Sequence, residues 1–371
     1  MSEAIDDFLA DHEDELVGVR RHLHAHPELG RAEYETTSFL ANRLRAAGLA
    51  PRVLSGGAGL ICDIGTGGPL VALRADLDAL PIADDKDVAY RSTIDDACHA
   101  CGHDVHTAVV LGAGLALQQE SARLPGRVRL IFQPAEEITP GGALQVIDEG
   151  GLDGVQSIYA LHCDPRLAVG KVAVRPGPIT SAADQVEVTL HSPGGHTSRP
   201  HLTSDLVYGI GTLITGVPGV LSRRIDPRNS TVMVWGAVNA GVAANAIPQT
   251  GTLAGTSRTA SRETWLTLEK LVHEIVSSLL TPLAVEYSVN YRRGVPPVVN
   301  EEVSTRILTH AIEALGPTAL ADTHQSGGGE DFSWYLEECP GRWPASACGR
   351  GRGPSWTCTS RPSISTSGRW Q

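Results

Sequence analysis

Apolar residues recur at three- and four-residue spacing from Asp7 to Ala47, which predicts helices interrupted by the stretch HPELG at 26–30. Short apolar runs then predict strands in LICDIG near residue 60 and in LVALRADLDALP near 70–81. A helix is expected from about His103 to Gln119, followed by strands in VRLIFQPAEE near 128–137 and SIYALHCDP near 157–165. Each of these strands runs out into polar residues. Alternating strands and helices of this kind predict an α/β domain with its chemistry at the strand ends.

From about Ala183 the order changes to strand, helix, strand, strand, helix, strand, ending near Gly294. That is the order of a ferredoxin-like α+β sandwich. The helix pattern EEVSTRILTHAIEALG returns afterwards, so the sandwich reads as an insertion. The expected organisation is a discontinuous catalytic domain over 1–180 and 294–338, an inserted domain over 181–293, and a separate tail over 339–371.

Composition narrows the function. A formal net charge of -12 repels a phosphate backbone, so nucleic acid is not expected as a partner and a small-molecule substrate is. The N-terminus MSEAIDDFLADHEDEL is acidic and amphipathic, unlike a secretory signal. The longest apolar stretch, near Ala108 to Leu117, falls short of the roughly 20 residues that span a bilayer, so no membrane segment is expected. Seven cysteines without a regular framework fit a reducing, cytoplasmic setting.

The densest chemistry is CHACGHDVH at 98–106, two thiols and three imidazoles at the expected start of a helix. A thiolate there is favoured by the helix dipole, and thiolate with neutral imidazole suits zinc or a neighbouring transition metal. Cys101 and His103 are the candidate ligands; a Cys98-x-x-Cys101 redox pair or ordinary buried thiols are the competing explanations. Strand ends supply further donors: Glu136 and Glu137, His162, Asp76 and Asp78. Adjacent residues of a strand face opposite ways, so one glutamate is expected to bind metal and the other to move a proton. A Glu-Glu pair alone is more often a solvated surface; its conjunction with the other donors points to metal-assisted hydrolysis.

These segments resemble a family of co-catalytic metal exopeptidases and amidohydrolases that includes hippurate hydrolases, bacterial aminoacylases and plant auxin-conjugate hydrolases. RRHLHAHPELG, LRADLDALP, HACGHDVHTA, FQPAEE, ALHCDP, GGHTSRPH, NAIPQTGTLAGTSRT and GGGEDFSWY occur in the family's order between about residues 15 and 338. The resemblance implies two divalent ions (zinc, manganese, nickel or cobalt) bridged by Cys101, with His103, Glu137 and His162 as further ligands. It implies Glu136 as general base and later acid, Asp78 as a residue that orients a ligand, and an N-acyl amino acid or similar conjugate as substrate. It also implies homodimerisation through the inserted domain, with His196 polarising the scissile carbonyl and Asn245 and Arg258 receiving the substrate carboxylate. His201 competes with His196 for its role, and Arg258 alternatively serves as a surface ion-pair partner. Asp76 is expected to be structural, His22, His24 and His26 to be surface or packing residues, and the GGGEDF loop to approach the site. A non-catalytic descendant that binds acylated small molecules, or serves as a partner subunit, is the alternative reading.

After Glu338 the chain holds no Asp, Glu, Val or Leu, and no histidine follows His324. Relatives end in a segment like Leu-His-x-Pro-x-Phe-Asp whose histidine is a ligand, so the tail is expected not to build the closing strand and helix. SWTCTSRPSISTS at 355–367 can be encoded so that the same bases, read from one base earlier, give Glu-Leu-Asp-Leu-His-Gln-Pro-Thr-Phe-Asp-Ile-Asp-Glu. That string is the missing ending, and it points to a frameshift near 339–342 and to impaired activity in the chain as it stands.

Overall fold

The computed structural model describes residues 2–338 and 345–349, the latter as backbone. The chain forms two compact units. The first holds the described residues up to Gly177, Asn300–His324, and those from Trp334 on; the second holds Pro178–Val299 and Gln325–Ser333.

Helices α1 (Ser2–Ala25) and α2 (Tyr34–Ala46) open the first unit, separated by the HPELG stretch. Strands β1 (Arg52–Val53), β2 (Leu60–Ile64) and β3 (Leu70–Asp76) follow, then α3 (His103–Gln119), β4 (Arg127–Gln133), α4 (Ala143–Asp148), β5 (Val155–His162) and β6 (Val172–Ala173). The strands near 70 and 128 stop earlier than the apolar runs suggest. At β4 the stop has a visible cause: Pro134 has no N–H to donate to a ladder. Leu40 and Leu44 of α2, Leu111 of α3, Leu60 and Ile64 of β2, and Leu130 and Phe132 of β4 form one buried cluster. β3 lies parallel to both β4 and β5. Three strands therefore end at the same edge of the sheet, where Asp76, the residues after Gln133, and His162 emerge.

The second unit begins with β7 (Ala182–His191) and β8 (Gly195–His196), continues with α5 (Leu206–Arg224), β9 (Val232–Ala240), β10 (Ala246–Ile247) and β11 (Thr250–Thr259), and ends with α6 (Arg262–Leu280) and β12 (Glu286–Val295). Its four-stranded sheet runs β9-β11-β7-β12, the strand order of a ferredoxin-like sandwich. Alternation along β7 buries Val186, Val188 and Leu190 against Leu213 and Val217 of α5 and Leu268 and Val272 of α6. By length and composition alone α5 is apolar enough to cross a membrane, a case the sequence reading did not raise. In the fold its apolar face is spent on this core. Both helices are capped: Asp205 accepts the N–H of Tyr208, and Ser261 that of Thr264.

The chain returns to the first unit with α7 (Glu302–Ala314) and β13 (Leu320–Ala321). A last strand, β14 (Ala345–Gly349), lies parallel to β5 and antiparallel to β6. This segment lies within the stretch expected not to build the usual closing strand and helix. Parallel pairing is made by backbone groups, so small residues such as Ala345, Ser346 and Ala347 can enter a ladder without a strand-forming composition. The full order is β1-β2-β4-β3-β5-β14-β6-β13. Residues 339–344 and 350–371, which carry the frameshift reading, lie outside the described residues.

Candidate metal centre

Gly102 starts the site. It precedes α3 with φ +95°, and a Cβ there would stand 3.0 Å from Cys163 Sγ, so the position needs glycine for both conformation and space. The turn it makes sets Cys101 just outside the helix and His103 at its first residue. Cys101 Sγ lies 3.4 Å from His162 Nε2 at the end of β5. The Nδ1 of His162 donates to the Cys163 carbonyl at 2.7 Å, which directs Nε2 towards the thiol.

His103 is fully buried. Its Nδ1 donates to the Asp78 backbone carbonyl at 2.8 Å, and its Nε2 has no hydrogen-bond partner among the described residues. Around that nitrogen stand Asp76 Oδ2 at 3.7 Å, Glu137 Oε1 at 3.9 Å and Glu136 Oε2 at 4.0 Å. A buried imidazole nitrogen facing three carboxylates without a bond to any of them is what a cation site leaves when its ligands are fixed by the protein. Cys101, His103 and His162 gather within one possible coordination sphere, and His103, Glu136 and Glu137 within another. Thiolate, imidazole and carboxylate donors together suit zinc and its first-row neighbours.

The two glutamates are not on a strand. They lie in a turn after β4, entered through Ala135 at φ +56°, a left-handed conformation that costs a residue with a Cβ about 1–2 kcal/mol. The opposite-faces argument therefore does not apply, and both carboxylates turn towards His103. Asp78 holds the turn, since its Oδ1 accepts the Glu136 N–H at 3.0 Å and its Oδ2 the Glu137 N–H at 2.9 Å.

Charge follows geometry. Burial alone would raise the Cys101 thiol, but His103 and His162 beside it bring it down to about 5. Burial and the neighbouring Cys101 thiolate push Glu137 up to about 8. Burial works against the charged form of His103, yet Asp76 and Cys101 raise it well above the usual imidazole range. Asp76, despite its own burial, is held well below the carboxylate range by His103, Arg74 and His106.

Asp76, expected to be structural, thus has further partners: Oδ1 accepts from His106 Nδ1 at 2.6 Å and Oδ2 from Arg74 at 2.6 Å. His106 completes its bonding by accepting the Cys163 N–H on Nε2 at 2.8 Å, which leaves neither ring nitrogen for metal. Sequence reading missed this pair; the i, i+3 spacing of His103 and His106 on one helix face was the available signal.

Residues 72–360 match the pattern of peptidase family M20/M25/M40. The chain belongs to that family. Over 331 residues it is 37% identical to the N-acetyl-L-cysteine deacetylase of Bacillus subtilis, covering 89% of this chain and 79% of that protein. It is 36% identical to the Arabidopsis thaliana IAA-amino acid hydrolase ILR1-like 2, covering 89% and 76%. A Rhodococcus jostii protein with a glutamate–cysteine ligase name is 53% identical over 89% of this chain, but the chain spans 42% of it, less than half. Among solved structures, a dinuclear metal-binding M20 peptidase of Bacillus subtilis superposes with a TM-score of 0.80 at 30% identity, covering 92% of this chain and 89% of that one. As an M20/M25/M40 member the chain is a metal-dependent hydrolase of amide bonds with a catalytic domain and an inserted domain.

Elsewhere in this M20/M25/M40 chain, His24, Asp84 and Cys98 also gather donor atoms. There the Lys86 ammonium lies 2.7 Å from Asp84 and 3.4 Å from Cys98 and already supplies the positive charge. His24 is buried and bonded to Asp104 at 2.6 Å. Cys98 and Cys101 are both free thiols.

The second unit carries the remaining candidates. His196 on β8 pairs with Ala246 on β10, and the Thr197 N–H donates to the Asn245 carbonyl at 3.2 Å, so His196 and Asn245 are neighbours. His196 Nδ1 accepts from Ser198, and its ring is exposed. Exposed His201 lies on the single helical turn Pro200–Leu202. Arg258, half-buried on β11, faces Gly329, where a Cβ would stand 3.6 Å from its Nη1. The GGGEDF loop thus packs with the second unit around Ala183, Val295 and Arg258.

Proposed function

We propose that this M20/M25/M40 member hydrolyses the amide bond of an N-acyl amino acid or similar small conjugate, releasing a carboxylic acid and an amino acid. The observation that carries the reading is the buried Nε2 of His103, without a hydrogen-bond partner among the described residues and facing Asp76, Glu136 and Glu137, with Cys101 and His162 paired beside it. The relatives named for N-acetyl-L-cysteine and for IAA-amino acids support the substrate class.

Cys101, His103, Glu137 and His162 would hold two divalent ions drawn from zinc, manganese, nickel and cobalt, with Cys101 shared. When bound, such ions lower the pKa of water towards ~7 and polarise a carbonyl. Glu136, whose side chain is 10% exposed, takes the proton from the attacking water and delivers it to the leaving amine. Asp78 keeps His103 in the tautomer that presents Nε2 and keeps Glu136 turned inward.

In the same reading His196 polarises the scissile carbonyl, Asn245 and Arg258 bind the substrate carboxylate, and the protein is a cytoplasmic homodimer joined through its second unit. These assignments rest on family resemblance. So does a missing histidine ligand in the shifted tail, by which the chain as it stands is impaired.

The test is to express this chain beside a frame-restored version and assay both, with zinc, manganese or cobalt, on a panel of N-acyl amino acids. Turnover by the restored version alone is expected. Equal turnover by both would overturn the impairment, and a metal-loaded restored protein inert on the whole panel would overturn the substrate class.

A further inference from the structure

The turn that presents Glu136 and Glu137 is held from both sides. Ala135 is fully buried, so its N–H needs an acceptor within the protein. It donates to Glu33 Oε1 at 2.7 Å, and its carbonyl accepts the Gly142 N–H at 2.9 Å. The next two amides end on Asp78 at 3.0 and 2.9 Å. Three successive amides are therefore fixed by two carboxyl groups from other parts of the chain.

Glu33 is itself fully buried and anchored from behind. Its carbonyl accepts the Thr37 N–H at 3.0 Å and the Thr37 hydroxyl at 2.6 Å, and that hydroxyl accepts the Gly59 N–H at 2.7 Å. Oε2 has no hydrogen-bond partner among the described residues, and no cation offers Glu33 an ion pair there. Burial pushes its carboxyl up to about 7. The backbone N–H groups of Glu33 and Arg31 also favour its charged form, but the contact that reaches beyond its own segment falls on Ala135, the residue with the unfavourable backbone.

We propose that Glu33 is a positioning residue for the catalytic turn: its side chain keeps Ala135 left-handed, and so keeps Glu136 and Glu137 facing His103. The importance of that turn rests on the amide-hydrolase reading, but the contact can be tested without turnover.

The full chain is compared with Glu33→Met, which keeps bulk without an acceptor suited to Ala135, and with Glu33→Gln, which keeps an acceptor oxygen. Amide hydrogen exchange of the peptide spanning 134–142 and zinc affinity by competition are measured for each. Glu33→Met is expected to lose protection at that peptide and to weaken zinc binding about 10–100-fold, the usual effect of removing a support behind a ligand. Glu33→Gln is expected to restore both towards the unmodified chain. A Glu33→Met protein with unchanged exchange and affinity overturns the proposal, as does a Glu33→Gln protein no better than Glu33→Met. Failure of the hydrolase reading is distinct: a restored chain inert on every substrate, in which the two variants still separate.

Discussion

The Nδ1 of His103 donates to the backbone carbonyl of Asp78, 2.8 Å away, and this contact decides which ring nitrogen is left for chemistry. A backbone carbonyl cannot donate in return, so the proton belongs on Nδ1 and Nε2 is turned towards Asp76, Glu136 and Glu137. The Asp78 side chain works on the other partners in the same arrangement. One residue thus sets the imidazole with its main chain and the carboxylates with its side chain.

Asp78→Ala should therefore do more harm than loss of one charge. It frees two part-buried amides and loosens both glutamates, and zinc affinity is expected to fall about 10–100-fold. Asp78→Asn, which keeps one oxygen acceptor, should fall between the two. Competition titration with a chelator of known affinity reads this directly.

The Cys101 thiol, with its pKa of about 5, should be a thiolate throughout the neutral range in metal-free protein. Its alkylation by iodoacetamide should stay flat from pH 8 to pH 6 and decline only as pH approaches about 5. Cys98, whose thiol burial pushes up, should resist alkylation over the same range. Peptide mapping after a short pulse separates the two.

Glu137 carries the opposite sign. With its pKa near 8 it is mostly protonated at neutral pH without metal and must lose that proton to ligate. Metal affinity should rise as pH increases through about 8, and His103, held above the usual imidazole range, adds to the proton release on binding at pH 7. Calorimetry in two buffers of different ionisation enthalpy measures that release; pH-independent affinity between 6 and 8 would sink the assignment.

Gly102→Ala places a Cβ against Cys163 in a left-handed turn. The expected cost is about 1–3 kcal/mol of stability, seen as a lower urea midpoint at unchanged slope. Reduced zinc affinity should accompany it, since this turn sets the spacing of Cys101 and His103.

Much of this was legible in the residues. Helix α3 begins and ends where its apolar spacing predicts, at His103 and Gln119, and the inserted unit shows the expected element order. His103 begins α3, His162 ends β5 and Cys101 stands two residues before the helix, so the three meet where element ends converge, and ends can be read from a pattern. The Glu136–Glu137 turn was not legible, because its shape depends on Ala135 being held by Glu33, a residue 102 positions away. The pairing of Asp76 with His106 was hidden for a similar reason: each is accounted for locally as a strand or helix residue, and only the packing of α3 on β3 brings them to 2.6 Å.

Strand β14 lies between β5 and β6, although all the other described strands precede it in the sequence. Among the described residues, this edge of β5 is paired only by 345–349, the last strand in the sequence. An unpaired parallel edge is a template for pairing with other chains. The late strand thus closes an edge of β5 that the rest of the described sheet leaves open.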